Sequence, residues 1–218
     1  MTVLVEVWSD FVCPWCYIGK RRLETALGRF DHAGDVEIVW RSFQLDPSTP
    51  QGADGPVSES LRTKYGVSAE QVVEMNERVT TLAAAEGLEY HLDTARVANT
   101  FDAHRVAHLA REHGAGPQLH ERLMRAHLIE SVHLGTPENV VRLAAEVGVP
   151  EDEARRVLDG EDYADDVRAE IDLARQFGAS GVPFFVMGRT HGVAGAQPVE
   201  VFDGALTEAY SRAAAPTA

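Results

Sequence analysis

The only two cysteines of the chain, Cys13 and Cys16, lie in the stretch WSDFVCPWCYIGKRRLETAL and are separated by Pro14 and Trp15. Two thiols at this spacing can form a redox pair, supply half of a metal site, or lie together as inert buried side chains. We predict a helix that begins at Pro14, because the missing N–H of proline costs no hydrogen bond in a first turn. Cys13 then lies at a helix N-terminus, where unpaired N–H groups and the helix dipole favour a thiolate.

The three kinds of chemistry differ in what else they require. A structural zinc site has four ligands, usually from two cysteine pairs, whereas this chain has no second pair and no histidine in a neighbouring ligand-spaced motif. We therefore predict no metal. Inert thiols remain an alternative, because free cysteine is among the residues most often buried. A redox pair accounts best for the pattern: Cys13 is then the nucleophile, and Cys16, one turn later, resolves the mixed disulfide.

The elements that must position this pair are indicated by strand and helix signals at both ends of the chain. Strand signals occur in four segments, residues 2–8, 36–45, 182–188 and 191–195. A helix from Pro14 to about His32 connects the first two strands, which favours a right-handed parallel unit. The last two strands are close enough for a hairpin, and a final helix is expected from Pro198 to about Arg212.

Between these ends the sequence is predominantly helical. The segment DPSTPQGADGPV, residues 46–57, is dense in Pro, Gly and Asp and indicates an exposed loop between domains. A capping box of Ser68 and Gln71 predicts one helix start. Further capping and stop signals predict helices over about residues 93–114, 136–148, 150–160 and 162–177. The chain thus predicts an α/β domain from residues 1–56 and 178–218, interrupted by an all-helical domain of residues 57–177.

Composition and charge exclude some classes of partner. The 218 residues carry 34 acidic and 20 basic side chains and no Lys/Arg block, so no nucleic-acid partner is expected. No apolar run approaches membrane-spanning length, so no membrane partner is expected. The N-terminal MTVLVEVWSD lacks the features of a secretion signal, which predicts a cytoplasmic protein. In that reducing compartment a close cysteine pair indicates redox or metal chemistry rather than a lasting structural disulfide.

Three further features of the sequence carry charged or titratable side chains. Asp10 lies three residues before Cys13 and is a candidate for tuning it or accepting a proton, or else simply ends the strand. His104 and His108 are four residues apart and share a helical face. That spacing can bind a metal, but no third ligand or nearby acid accompanies it, so hydrogen-bonded, partly buried histidines are favoured. Arg41, in the second strand, is a candidate to pair with an acid.

Four segments together resemble the DsbA-family thioredoxin-like proteins, in particular their cytoplasmic FrnE-like branch. They are FVCPWCYIGKRRLE, WRSFQLDP, NTFDAHRVAH and GASGVPFFVMG with the following GVAGAQP, in this order from about Val3 to Leu206. That branch is similar to the 2-hydroxychromene-2-carboxylate isomerases and the kappa-class glutathione transferases. The resemblance implies a thioredoxin fold, a mixed sheet flanked by helices, with an inserted all-helical domain.

The resemblance also implies roles for individual residues. The Val182–Pro183 peptide bond is expected to be cis, with Pro183 facing the catalytic Cys13 and Cys16. The helix that carries NTFDAHR is expected to border the active-site cleft. The residues expected to bind substrate are Pro14, Trp15, Val182, Asn99, Thr100 and His104. Trp15 is expected to be exposed beside Cys13.

The favoured function is thiol–disulfide exchange between the Cys13–Cys16 pair and protein or small-molecule disulfides. No tightly bound cofactor is expected, glutathione is a candidate electron partner, and a homodimer is compatible with the resemblance. The main alternative is a glutathione-dependent isomerase or transferase that acts on an aromatic or polyketide-like small molecule. Those relatives typically carry serine at the position of Cys13, which disfavours this alternative. A peptide-binding holdase with idle cysteines is a third hypothesis.

Overall fold

The computed structural model describes residues 2–214, and within them one four-stranded sheet is surrounded by helices. The strands are β1 (Val3–Ser9), β2 (Val36–Ser42), β3 (Phe184–Met187) and β4 (His191–Ala194). The helices are α1 (Pro14–Arg29), α2 (Val57–Tyr65), α3 (Ala69–Ala85), α4 (Phe101–Glu112), α5 (Gly116–Leu128), α6 (Pro137–Ala145), α7 (Glu151–Asp159), α8 (Ala164–Gln176) and α9 (Val199–Ala214). A short 3₁₀ turn, Ala33–Asp35, precedes β2.

The sheet has the strand order β2-β1-β3-β4. Strands β1 and β2 are parallel and are connected through α1, whereas β3 is antiparallel to both β1 and β4. The predicted parallel unit and the predicted hairpin are therefore both confirmed. This order places β1 in the interior of the sheet, so the cysteine segment that follows it begins in the middle of the molecule.

Both faces of β1 are covered, because alternate side chains point to opposite sides of a strand. Val3, Val5 and Val7 pack with apolar side chains of α1 and α9 on one face. On the other face Trp8 packs against Ala174 of α8, and its indole N–H donates to the Glu170 carbonyl at 2.8 Å. Helix α8 lies in the range assigned to the helical insertion, yet it packs on the sheet. The domain boundaries at residues 56/57 and 177/178 stay a prediction. Residues 1 and 215–218, which were assigned to the α/β domain, lie outside the described residues.

The core of the helical domain is continuous with the cysteine segment. Phe11, Cys13 and Cys16 belong to the same buried cluster as the apolar side chains of α4 to α7. Cys13 and Cys16 therefore lie at the seam between the sheet and the helical domain, and they are surrounded by side chains from both.

The structure corrects the predicted helix over residues 93–114. Helix α4 begins only at Phe101, because the preceding backbone is hydrogen-bonded to a distant loop. Val57 N–H donates to Ala95 O at 3.0 Å, and Val97 N–H donates to Gly55 O at 2.8 Å. These long-range bonds occupy groups that a helix would need for its own turns.

Other boundaries agree more closely with the sequence. The capping box of Ser68 and Gln71 at the start of α3 is confirmed. Strand β2 ends at Ser42 rather than residue 45, since Leu45 N–H is bound by the Asp10 carboxylate at 2.7 Å. Helices α2 and α5 were not resolved as separate elements by the sequence signals.

A buried carboxylate, Glu170 of α8, joins the sheet to the helical domain. It receives ion pairs from Arg41 of β2 at 2.8 Å and from Arg111 of α4 at 2.9 Å. It also accepts from Ser42 N–H at 2.7 Å and lies 3.3 Å from His108. Burial alone would raise the pKa of Glu170, but the hydrogen bond from His108 and the two arginines outweigh burial and hold this pKa well below its usual range.

We predict that Glu170→Gln lowers the free energy of unfolding at neutral pH by roughly 2–3 kcal/mol, because it takes a buried carboxylate from the partly buried Arg111 and leaves Arg41 with the Glu6 carboxylate. The depressed pKa gives a definite sign. The stabilisation contributed by ionised Glu170 is complete above its pKa in the unfolded chain, about 4.3. This stabilisation is lost as the pH falls through the lower pKa of Glu170 in the folded protein. Urea unfolding followed by circular dichroism at several pH values measures both effects.

The matched control is Glu37→Gln at an exposed position of β2, where the same chemical change should lower the free energy of unfolding by less than about 0.5 kcal/mol. Two outcomes would contradict the proposed role of Glu170. One is an equal decrease in the free energy of unfolding in both variants, and the other is a decrease at acidic pH that is as large in Glu170→Gln as in the parent.

Candidate active site

The cysteine pair occupies the first turn of α1. Cys13 is the N-cap residue, and its backbone is held by Cys13 N–H donating to Asp10 O at 3.1 Å. Cys16 N–H donates in turn to Cys13 O at 3.0 Å. The two cysteines approach to 3.5 Å without a disulfide, so this is the dithiol arrangement. A small movement of either side chain is enough to bring the sulfurs into bonding distance.

The Val182–Pro183 peptide bond is cis, as predicted, and lies directly opposite Cys13. The Cys13 thiol donates to the Val182 carbonyl with an Sγ–O distance of 3.6 Å. Gly19 of α1 makes this approach feasible: a Cβ there would lie 3.0 Å from Pro183 Cγ and 3.1 Å from Phe185 Cζ. A side chain at position 19 would therefore fit only if Pro183 and Phe185 shifted by a few tenths of an ångström. Sequence reasoning did not single out Gly19.

A cleft of about 420 Å³ opens beside Cys13. Its apolar walls come from the cysteine segment and from α2, α3 and the segment before α4, and include Val12, Leu61, Met75, Val79, Leu92 and Val97. Lys64 and Arg96 are the two cationic residues in the lining, and each is ion-paired, with Asp46 and Asp54 respectively. The cleft therefore offers a mainly apolar surface to a molecule that reaches Cys13.

The structure separates the predicted substrate-binding residues into two groups. Pro14, Trp15, Val182 and Thr100 line the cleft. Asn99 and His104 do not. The Asn99 carboxamide instead holds the chain before α4, accepting from Phe101 N–H at 2.9 Å and donating to Thr49 O at 2.6 Å. Trp15 is half-buried against the helical core rather than exposed, which corrects the expectation made for it.

Asp10 lines the cleft at its inner end and is almost completely buried. Its Oδ2 accepts from Leu45 N–H, whereas its Oδ1 has no hydrogen-bond partner and lies 3.6 Å from His104 Nε2. His104 is buried behind Asp10 and stacks on Phe11, with ring centroids 4.4 Å apart. Asp10 and Cys13 thus line the same cleft. The role of Asp10 in tuning Cys13 stays a prediction.

The two cysteines have different environments. Cys13 lines the cleft, whereas Cys16 lies beneath it. Burial above all, and then the neighbouring Cys13, raise the pKa of the Cys16 thiol well above its ordinary value. Hydrogen bonds from the Ser9 side chain and the Asp10 backbone act in the opposite direction. Both cysteines are buried, but only Cys13 borders the cleft, which suits an attacking nucleophile.

His127 of α5 is a cleft residue that sequence reasoning missed. Burial lowers its pKa to about 4, although the Asp10 charge acts in the opposite direction. Its ring is therefore neutral at physiological pH. The apolar residues of α5 recur four positions apart. That period predicts a helix, and with it the side of the helix on which His127 lies.

Within residues 2–214, no group of three or more His, Cys, Asp or Glu side chains is arranged to hold a metal ion. His108 binds Ser42 and Glu170 instead, as expected for a hydrogen-bonded histidine. None of the helices in this part of the chain is long and apolar enough to cross a membrane.

With the dithiol, the cis-proline segment and the cleft in place, the class of protein follows. The sequence model of the DSBA-like thioredoxin domain family matches residues 4–207, and the chain belongs to this family. Its mixed sheet with flanking helices and a helical insertion is the DsbA-like thioredoxin fold.

Individual relatives agree with this assignment. A probable DsbA oxidoreductase from Streptomyces coelicolor is similar in structure, with a TM-score of 0.95 and 44% identity over 99% of this chain and 93% of that one. The uncharacterized protein YwbO of Bacillus subtilis is 28% identical over 95% of this chain and 98% of its own length. The cytosolic disulfide reductase DsbM from Pseudomonas aeruginosa, solved with GSH, shares the fold at a TM-score of 0.65 and 19% identity, with 96% of each chain covered.

We predict that iodoacetamide at neutral pH modifies Cys13 at least about tenfold faster than Cys16, because only Cys13 lines the cleft and the Cys16 thiol is hard to ionise. Peptide mass spectrometry of briefly treated protein gives the two rates. Cys16→Ser should retain the fast reaction, and Cys13→Ser should retain only the slow one. Equal rates at the two sulfurs in the parent protein would contradict the different environments described above.

Proposed function

We propose that the protein is a thiol–disulfide oxidoreductase that exchanges the Cys13–Cys16 dithiol with disulfides of proteins or small molecules. The observation that carries this proposal is the position of Cys13 at the N-terminus of α1, facing Val182 across the cleft with Cys16 directly behind it. This arrangement supports a role for the first sulfur in meeting a substrate and for the second in attacking the first.

In the reducing direction the Cys13 thiolate attacks a substrate disulfide. A bond forms between Cys13 and one substrate sulfur, and the other substrate sulfur leaves with the electron pair of the broken bond. Cys16 then attacks Cys13, forms the Cys13–Cys16 disulfide and releases the second substrate thiolate. The substrate gains two electrons and the protein loses two. The oxidising direction is the same sequence reversed.

The lining of the cleft supports a preference among disulfides. Apolar side chains from α2 and α3 face the opening beside Cys13, so an apolar group next to the substrate disulfide gains binding energy there. The backbone of Val182 suits an extended peptide that adds alongside it. Glutathione is proposed as the electron partner, supported by the GSH-bound DsbM neighbour. A cytoplasmic location fits the same comparison.

The first test is reduction of insulin by dithiothreitol with the protein as catalyst. We expect catalysis by the parent chain and background rates for Cys13→Ser. Cys16→Ser should accumulate mixed disulfides through Cys13, because its resolving sulfur is absent, and mass spectrometry detects them. Insulin reduction at the background rate with the parent protein, or equal trapping in the two cysteine variants, would overturn the proposal.

An isomerase or transferase that activates glutathione at Cys13 is the second candidate, favoured by one observation. A mainly apolar cleft of about 420 Å³ is in the size range of small-molecule sites. That mechanism uses one sulfur, so Cys16→Ser would retain full activity on an aromatic substrate. Disulfide exchange requires both sulfurs, so the same variant distinguishes the two functions.

A further inference from the structure

A segment of the helical domain covers one side of the cysteine motif. Residues 86–92, called the strap from here on, follow α3 and form neither helix nor strand. Buried and exposed side chains alternate between residues 88 and 92. Leu88, Tyr90 and Leu92 point inward and belong to the same buried cluster as the two cysteines.

The strap is anchored at both ends. At its start the Glu86 carboxylate is ion-paired with Arg22 of α1, with Oε1 and Nε 2.6 Å apart. Near its end His91 N–H donates to Leu128 O, the last residue of α5, at 2.8 Å. The strap is therefore tied both to the helix that carries the cysteines and to the helical domain.

Tyr90 closes the strap onto the cysteine motif itself. Its hydroxyl donates to Pro14 O, between the two cysteines, at 2.7 Å. Burial above all, and then the charge of Cys13, raise the pKa of Tyr90, so the hydroxyl stays protonated and remains a donor. Trp15 is half-buried in the same core. The turn between the cysteines is thus covered by protein on this side.

In the described part of the chain, the sulfur of Cys13 is reached through the cleft. Cys13 is 2% exposed, and Tyr90 does not line the cleft, so Tyr90 closes a different side of the motif. The cleft volume of about 420 Å³ lies near the lower end of the range of small-molecule pockets, about 300–1,000 Å³. Leu45, Tyr65 and Met75 line the cleft and are also exposed, which places them at its mouth.

This enclosure limits which disulfides can react. Attack brings three sulfurs nearly into line, so a substrate must deliver both of its sulfurs to Cys13. A small disulfide can carry them into the cleft. A disulfide on a folded protein is flanked by backbone and neighbouring side chains, which meet the strap and the walls of α2 and α3 first. Such a substrate requires the strap to open, and its reaction slows in proportion to the open fraction.

We propose that the strap makes the site selective for low-molecular-weight disulfides, such as a tripeptide thiol joined to a second small thiol, over disulfides on folded proteins; this rests on the proposed function. The Cys13 thiolate bonds to the nearer sulfur of the small disulfide, and the other sulfur leaves through the cleft with the electron pair. Cys16 then bonds to Cys13 and releases the second sulfur. The Cys16 proton ends on one of the two released thiolates. Insulin is still reduced, but only through the open form.

The test presents one kind of disulfide in two settings. Glutathione is joined either to free cysteine or to a single surface cysteine of an unrelated folded protein, and each disulfide is mixed with the reduced parent chain. Acid quenching and mass spectrometry give the rate at which the Cys13–Cys16 disulfide forms. Each rate is divided by that of the same disulfide with dithiothreitol, which corrects for intrinsic reactivity. We expect the normalised rate to be at least about tenfold higher for the small disulfide, because the protein-borne one reacts only through the open form.

Two variants loosen the strap without removing a packed side chain. Tyr90→Phe keeps the ring and loses the bond to Pro14 O, and Glu86→Gln loses the ion pair with Arg22. We expect each to raise the normalised rate with the protein-borne disulfide at least about threefold, because losing one such interaction increases the open fraction by about that factor. The rate with the glutathione–cysteine disulfide should stay within about twofold, since that substrate does not require opening.

Matched controls carry the same chemical changes elsewhere. Tyr210→Phe removes a hydroxyl that lies 3.2 Å from the Asp35 carboxylate, and Glu146→Gln removes a carboxylate from Arg122. Neither residue lines the cleft or belongs to the strap. Both variants should therefore show parental rates with the two disulfides.

The outcomes separate this inference from the function on which it rests. Equal normalised rates for the two disulfides in the parent protein would overturn the selectivity. A parental rate with the protein-borne disulfide in both Tyr90→Phe and Glu86→Gln would overturn the role of the strap. A parent protein that neither disulfide oxidises would instead overturn the proposed thiol–disulfide exchange itself.

Discussion

The close packing of α1 against the Val182–Pro183 segment is the constraint on which the site depends. Gly19 permits it, because a side chain there would make an unusually tight contact with Pro183 and Phe185. The packing places the Cys13 sulfur 3.6 Å from the Val182 carbonyl and leaves Cys16 enclosed beneath it. The roles proposed for the two cysteines therefore depend on the way α1 packs against the Val182–Pro183 segment.

The two cysteines face different parts of the molecule. Cys13 opens on a cleft whose walls come from α2 and α3, whereas Cys16 lies beneath it in the core and does not line the cleft. In the proposed exchange a substrate therefore meets Cys13 first, and Cys16 acts from within the protein.

The sequence by itself determined the local structure around the two cysteines. The spacing of Cys13 and Cys16, with Pro14 at the first helical position, predicted a helix N-terminus with two thiols one turn apart, as observed. Apolar residue patterns predicted the β1–α1–β2 unit and the hairpin, and the pair Ser68 and Gln71 predicted the capping box. These signals are local: each depends on residues a few positions apart, and burial of one face is enough to select the element.

Tertiary structure decided what depends on distant partners. Residues 93–100 are not helical, because their backbone pairs with residues 55–57, which no local signal reveals. His104 lies beside Asp10 and does not line the cleft, and Ser9 contacts His120, which is 111 positions along the chain. Gly19 acquired its importance from Pro183, at the far end of the sequence. Local pattern selects helices and strands, but only the packing of the whole chain determines which buried polar groups meet.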